Sequence, residues 1–128
     1  MKESFQLKET FNTPVATLYA AWLNSEIHSE MTGGEAECNP IIGGSFSAWD
    51  GYIWGKNIEL KKNEKIVQSW RTTEFQEEDQ DSTLTIEFKS IGEKTELVLI
   101  HTNIPEGQTQ YKQGWIDHYF TPMNSFFG

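Results

Sequence analysis

Cysteine and arginine are almost absent from this sequence of 128 residues, which contains one of each, Cys38 and Arg71. A single cysteine cannot form an internal disulfide, and no cysteine and histidine cluster has the spacing of a zinc site. Nineteen acidic residues outnumber ten basic ones, and the formal net charge is −9. Because neutralisation of phosphates requires a basic face, we expect no nucleic-acid partner, and we also expect no bound metal.

Long hydrophobic runs are also absent. No apolar stretch approaches the ~20 residues of a membrane span, and the first residues, MKESFQLKE, lack the apolar segment of a signal peptide. Together with the lone cysteine, these features predict a cytoplasmic protein with no membrane contact. The length predicts a single domain, residues 1–128, folded around one hydrophobic core.

Catalytic motifs are missing as well, since the sequence contains no H-E-x-x-H, G-x-S-x-G or C-x-x-C. Asp117 and His118 are sequence neighbours, which do not face each other on a helix. Of the three histidines, His101 is the strongest catalytic candidate, because it ends an apolar strand where burial would shift its titration. We predict no catalytic residue and no cofactor, and an enzyme acting on a hydrophobic substrate stays as an alternative.

The segment GGSFSAWDGYIWG, residues 43–55, contains four glycines and four aromatic residues. It matches no phosphate-binding motif, and Asp50-Gly51 between two alternating runs predicts a hairpin with a type I′ turn. Strand alternation then places Trp49, Tyr52 and Trp54 on one face. Because adjacent aromatic residues often mark a contact surface, we predict an interaction surface there and a homodimer formed through it.

The remaining pattern predicts an α+β protein. A strand over residues 5–11 precedes a helix that begins at Thr13-Pro14, and a second short helix covers residues 25–31. About six strands make up the sheet, and the acidic residues 74–81 between two of them predict a solvated loop or, alternatively, a docking surface for a basic partner.

From Gly107 onward the apolar residues recur at helical spacing, which predicts a long C-terminal helix. Its apolar face carries Trp115, Tyr119 and Met123, and we expect this face to cover the sheet. Pro122 removes one helical hydrogen bond and predicts a kink.

Four segments in this order resemble the C-terminal domain of the activator of the ninety-kilodalton heat-shock chaperone's ATPase. They are GGSF with Asp50-Gly51 and Gly55, IVQSWR at 66–71, TELVLIHTNIP at 95–105, and Gly114-Trp115 followed by Tyr119-Phe120. The resemblance implies the helix-grip fold of the START-like (SRPBCC) superfamily. In that fold a curved antiparallel sheet grips a long C-terminal helix, often with a cavity between them.

The resemblance also implies two functions of different classes. The first is non-catalytic binding of a hydrophobic or amphipathic small molecule in the cavity. The second is a chaperone-associated stress protein that acts through surface contacts. The eukaryotic activator uses an N-terminal domain with an Asn-Trp-His-Trp run, and because the present sequence has no such run we expect little or no stimulation of a chaperone's ATPase.

Tryptophan and tyrosine suit a ligand cavity because each combines a large apolar body with one polar group, although the same residues could simply fill the core. Asn57, Glu59 and Glu87 are candidates to supply polar groups from the sheet, and a surface position is the alternative for each. The predicted ligand-binding residues are Trp115, Tyr119, Met123, His101, Trp70 and Glu59.

Overall fold

A computed structural model describes residues 2–128 of the chain. Strand β1 (Glu3–Phe11) is followed by two short helices, α1 (Val15–Leu23) and α2 (Ser25–Thr32). The sheet continues with β2 (Glu37–Cys38), β3 (Ser45–Ala48), β4 (Ile53–Lys61), β5 (Lys65–Thr72), β6 (Ser82–Ile91) and β7 (Lys94–Ile104). Helix α3 (Tyr111–Trp115), a π-helical turn (Ile116–Phe120) and helix α4 (Thr121–Phe127) follow one another directly, and we call them together the C-terminal helix.

The strands form a seven-stranded antiparallel sheet in the order β1-β7-β6-β5-β4-β3-β2. The predicted fold class, an α+β protein with a curved antiparallel sheet and a long C-terminal helix, is confirmed. The sheet has one strand more than the six or so expected. That strand is β2, whose two residues are too few to produce an alternating pattern.

Alternation along the strands determines which face of the sheet is buried. In β5 every second residue from Ile66 to Thr72 is buried, and in β7 the same is true from Thr95 to His101. The helices pack on this inner face: α1 contacts β6 and β7, and α2 contacts the C-terminal helix. The hydrophobic core therefore lies between the inner face of the sheet and the helices.

The predicted hairpin is present with the expected register, because Ser47 pairs with Trp54 and Ala48 with Ile53. Asp50 and Gly51 have φ values of 59° and 88°, as a type I′ turn requires. Trp49 also has a positive φ, 51°, so the extended backbone ends at Ala48. The side chain of Trp49 therefore does not follow the alternation of β3.

The C-terminal helix is irregular near Pro122, as its sequence predicts. The amide of Thr121 donates to the carbonyl of Ile116, five residues earlier, which defines the π-helical turn before the proline. A π-helical turn accommodates one extra residue, and here Tyr119 and Phe120 are both buried. Within residues 2–128 no helix combines the length and the apolar character needed to span a membrane.

Candidate functional site

A cavity of about 300 Å³ lies between the β3–β4 hairpin, β5 and the C-terminal helix. This volume is at the lower end of the range of small-molecule sites. Exposed His118 places one side of the cavity next to solvent. The lining is mainly aromatic and consists of Trp49, Tyr52, Ile53, Trp70, Tyr111, Gly114, Trp115, His118 and Tyr119.

The residues predicted from the sequence to bind a ligand fall into two groups. Trp70, Trp115 and Tyr119 line the cavity. Met123 is fully buried in the core and does not belong to the lining, and His101 lies behind the wall, bonded to Trp115.

Glu59 lies on the other side of the sheet from the cavity. A bulge in β4 at Ile58 shifts the pairing between Asn57 and Glu59, so the alternation reverses there. The carboxylate of Glu59 is exposed and forms an ion pair with Lys65 at 3.4 Å. Asn57, just before the bulge, is buried.

A continuous chain of hydrogen bonds lies behind Trp115 at the cavity wall. The indole N–H of Trp115 donates to Nδ1 of His101 at 3.1 Å, and Nε2 of His101 lies 2.8 Å from the hydroxyl of Ser82. The Ser82 hydroxyl donates to the carbonyl of Trp70 at 2.6 Å. Because Nδ1 must accept and the hydroxyl proton is already used, His101 is the neutral tautomer with its proton on Nε2.

Burial keeps His101 in this neutral form. Desolvation lowers the pKa of His101 to about 3, far below that of an exposed histidine. Protonation of Nδ1 would also set two N–H groups against each other, because the Trp115 indole can only donate. Both nitrogens of His101 therefore have structural partners, and neither is free to act as a general base.

Tyr119 is fixed by a second buried histidine, His28. Nδ1 of His28 lies 2.8 Å from the carbonyl oxygen of Trp22, and a carbonyl can only accept, so Nδ1 carries the proton. Nε2 of His28 therefore accepts from the hydroxyl of Tyr119 at 2.9 Å. Burial lowers the pKa of His28 and raises the pKa of Tyr119, so both groups stay neutral.

The two other tyrosines of the lining are also bonded through their hydroxyls. Tyr111 donates to Oε1 of Gln108 at 2.6 Å and lies 2.8 Å from the hydroxyl of Thr72. Tyr52 donates to the carboxylate of Glu74. Burial raises the pKa of each tyrosine, and these contacts hold both rings in place at the cavity wall.

Trp49 enters the cavity from the hairpin turn. Its ring packs against Gly34, where a methyl group would overlap the indole, and makes an edge contact with His118 at a centroid distance of 5.4 Å. The indole Nε1 of Trp49 is buried and has no hydrogen-bond acceptor within residues 2–128. Buried donors are rarely left unpaired in folded proteins, and the indole N–H of Trp49 is an exception.

Gly114 gives the cavity its space on the helix side. It lies inside the C-terminal helix, where glycine is unfavourable by about 0.5–1 kcal/mol relative to alanine. A Cβ atom at this position would meet no atom within 4 Å. The absence of a side chain at Gly114 therefore leaves part of the cavity open.

The three aromatic residues of the predicted interaction surface occupy different positions. Trp49 and Tyr52 line the cavity, whereas Trp54 is 40% exposed on the outer face of β4. The guanidinium carbon of Arg71 lies 5.9 Å from the centre of the Trp54 ring. Ile58, 53% exposed, follows on the same strand, so the outer face of β4 retains an apolar surface.

A loop beside β4 also presents apolar side chains. Ile41 and Ile42 are 58% and 65% exposed. The side-chain amide of Asn57 donates to the carbonyls of Asn39 at 2.8 Å and Ile41 at 3.0 Å, which fixes this loop. Asn57 thus positions an exposed surface and does not belong to the cavity lining.

Two residues of the site, Tyr111 in the lining and His28 behind it, were not predicted from the sequence. Tyr111 lies one helical turn before Trp115, and extending the apolar face by four residues would have included it. Nothing local indicates His28, whose partner Tyr119 is 91 residues away. Residues 2–128 contain no group of three histidine, cysteine or acidic side chains arranged to hold a metal ion.

Comparison with protein families gives one match over most of the chain. The model of the family described as Activator of Hsp90 ATPase homolog 1-like protein matches residues 12–128. Human activator of 90 kDa heat shock protein ATPase homolog 1 is 31% identical over 95% of this chain and 36% of its own length. The chain thus spans about a third of the length of the curated relatives that it matches first.

Solved structures with the same fold include the following two. PFC0360w from Plasmodium falciparum, described as an HSP90 activator, is 32% identical with a TM-score of 0.87, over 96% of this chain and 94% of the other. The Aha1 dimer from Colwellia psychrerythraea is 11% identical with a TM-score of 0.76, over 98% of this chain and 93% of the other. At 11% identity, the comparison with the second structure shows only that the two proteins share a fold.

Proposed function

The chain belongs to the Activator of Hsp90 ATPase homolog 1-like family, and we propose that it binds a small hydrophobic or amphipathic molecule in its aromatic cavity without catalysing a reaction. The observation that carries this proposal is the cavity of about 300 Å³ itself, which is lined mainly by aromatic side chains. The lining gains van der Waals contacts when an apolar ligand enters.

The side chains around the cavity support binding more than catalysis. His28 and His101 each use both ring nitrogens in structural hydrogen bonds. No Asp, Glu, Lys or Arg is among the nine lining residues. Aromatic side chains that are held rigidly by hydrogen bonds to residues behind them are suited to recognising the shape of an apolar molecule.

A melting screen tests this proposal directly. A ligand that binds only the folded state stabilises it by RT ln(1 + [L]/Kd), about 2.7 kcal/mol at a hundredfold excess over Kd. We expect a shift from at least one of a fatty acid, a sterol and 2-acetylnaphthalene. Native mass spectrometry of protein purified from its own host should show an additional bound mass. No shift in the screen together with no bound mass would contradict the proposal.

A second candidate function is a contact with an Hsp90-type chaperone. It is favoured by the relatives, which are described as activators of that chaperone, and by the exposed loop bearing Ile41 and Ile42. Neighbouring exposed apolar side chains are typical of surfaces that contact another protein.

The host chaperone's steady-state ATPase rate tests the second candidate. A chaperone-activating surface predicts stimulation by the wild-type chain, and loss of that stimulation in the double variant Ile41→Ser and Ile42→Ser. Ile91→Ser is the matched control, because Ile91 is 46% exposed at the turn between β6 and β7. No change in the ATPase rate would agree with the expectation from the sequence and would remove this candidate.

A further inference from the structure

The lining of the cavity offers almost nothing that could pair with an anion. The nine lining residues include no lysine or arginine, and the one histidine among them, His118, lies at the solvent side. Lys112 is on the same helix, but its side chain is exposed and does not belong to the lining. A carboxylate that entered the cavity would therefore lose its hydration without gaining a positive partner.

Most hydrogen-bond donors of the wall are also unavailable to an anion. Four of them are bonded to other residues of the chain, and they belong to Tyr52, Tyr111, Trp115 and Tyr119. The indole N–H of Trp49 has no acceptor, but its nitrogen is inaccessible even to water, so a ligand atom cannot reach it. Because a buried carboxylate needs several donors, these five side chains do not compensate for its lost hydration.

Negative charges lie next to the lining. The exposed carboxylate of Glu74 accepts from Tyr52, and exposed Asp117 directly precedes His118 on the C-terminal helix. The net charge of the whole protein is −9. Like charges near a cleft lower the local concentration of anions, so a carboxylate is disfavoured before it enters the cavity as well as inside it.

An uncharged molecule meets none of these penalties. The rings of Trp70, Tyr111, Trp115 and Tyr119 pack against one another, with neighbouring centroids 4.5 to 5.8 Å apart, and form a continuous aromatic wall. Apolar atoms that touch this wall gain dispersion contacts without giving up strong hydrogen bonds to water. The cavity therefore discriminates between ligands of equal shape by their charge.

We infer that the cavity accepts uncharged ring compounds, such as an aromatic ketone, and rejects carboxylates of the same shape. This inference rests on the proposed function and adds the charge of the ligand to it. Free fatty acids and aromatic acids are thereby excluded as the ligand class of this cavity.

Two probes of nearly equal shape test the inference. 2-Acetylnaphthalene is neutral, whereas 2-naphthoate has a carboxylate in place of the acetyl group and is ionised at pH 8. Calorimetry at pH 8 measures both affinities for the wild type, His118→Lys and Gln113→Lys. His118→Lys adds an ammonium group to the lining. Gln113→Lys is the matched control, because it adds a lysine to the same helix at an exposed position outside the lining.

The wild type should bind 2-naphthoate at least about tenfold more weakly than 2-acetylnaphthalene, because an unpaired carboxylate is costly to bury. Most of this difference should persist at high salt, since salt screens long-range repulsion but supplies no partner inside the cavity. His118→Lys should reduce the ratio of the two affinities about fivefold, which is the effect of a good ion pair near the surface. Gln113→Lys should leave the ratio nearly unchanged.

If 2-naphthoate binds the wild type as tightly as 2-acetylnaphthalene, the inference is wrong, while the cavity remains a binding site. Equal effects of the two lysine variants would show that the net charge of the protein, and not the lining, discriminates between the probes, which also contradicts the inference. If neither probe binds the wild type, the inference is overturned together with the proposed function for this class of compound.

Discussion

The hydroxyl of Tyr119 donates to Nε2 of His28 over 2.9 Å and connects the C-terminal helix to α2 across 91 residues of sequence. Because Nδ1 of the same ring donates to the Trp22 carbonyl, one proton on His28 satisfies both contacts. The bond fixes a ring of the cavity wall to a helix that is not part of the lining.

Tyr119→Phe should therefore lower the free energy of unfolding by about 1–3 kcal/mol, because Nε2 of His28 would be left buried without a donor. Denaturation in urea measures the change. Tyr52→Phe is the matched control and should lower the free energy of unfolding by less. The Glu74 carboxylate, which loses its donor in this variant, is exposed and can bind water instead. Equal stabilities of wild type and Tyr119→Phe would contradict the assigned hydrogen bond.

Stability should fall as the pH drops below about 6.5. The pKa of His101 is lowered to about 3 in the folded protein, so between these values the unfolded chain binds one proton more. The free energy of unfolding therefore rises with pH in this window, and His101 alone accounts for a loss of about 2 kcal/mol from pH 7 to pH 5. The lowered pKa of His28 acts in the same direction.

Urea denaturation at pH 7, 6 and 5 measures this dependence above the range in which most carboxylates take up protons. His101→Gln is the comparison variant, because it cannot be protonated and should show a smaller slope whatever its absolute stability. A free energy of unfolding that stays constant from pH 7 to pH 5 would show that His101 is not buried in neutral form.

Gly34→Ala should displace the Trp49 ring, because a methyl group at Gly34 would overlap the indole. Overfilling of a packed site typically costs 1–3 kcal/mol, and we expect a loss of that size. The affinity for 2-acetylnaphthalene should also decrease, because Trp49 is part of the cavity lining. Gly114→Ala is a suitable control, since the added methyl group has free space there. An unchanged melting temperature in Gly34→Ala would show that Trp49 is not held by this contact.

The outer face of β4 should support self-association, since Trp54 and Ile58 expose 40% and 53% of their surface on the same face of this strand, on either side of Lys56. Sedimentation at micromolar concentration should detect a dimer of the wild type and its dissociation in Trp54→Ser. Ile91→Ser, an exposed residue elsewhere on the sheet, should leave the dimer intact. A wild-type monomer, or a dimer unaffected by Trp54→Ser, would contradict this prediction.

Much of the fold follows from local patterns, and the exceptions have physical causes. Alternation predicted the register of the hairpin, but it assumes an extended backbone and therefore misplaced Trp49, whose φ is 51°. Regular alternation also did not predict the bulge at Ile58, which places Glu59 on the outer surface. Helical spacing predicted that Trp115 and Tyr119 share a face.

Long-range hydrogen bonds were beyond prediction for a different reason. The partners His28 and Tyr119, or Ser82 and His101, are brought together only by the tertiary fold, and no spacing in the sequence relates them. The sequence could therefore indicate which aromatic residues belong near the cavity, but not which of their polar groups are already satisfied.

The most direct measurement compares the affinity of 2-acetylnaphthalene for the wild type, Gly114→Ala and Gly114→Leu. Alanine should raise the free energy of unfolding by about 0.5–1 kcal/mol through helix propensity and leave binding nearly unchanged. Leucine should occupy the open space beside Gly114 and weaken binding tenfold or more, about 1.4 kcal/mol, while the protein stays folded. Wild-type affinity in a folded Gly114→Leu variant would show that the ligand does not bind in this cavity.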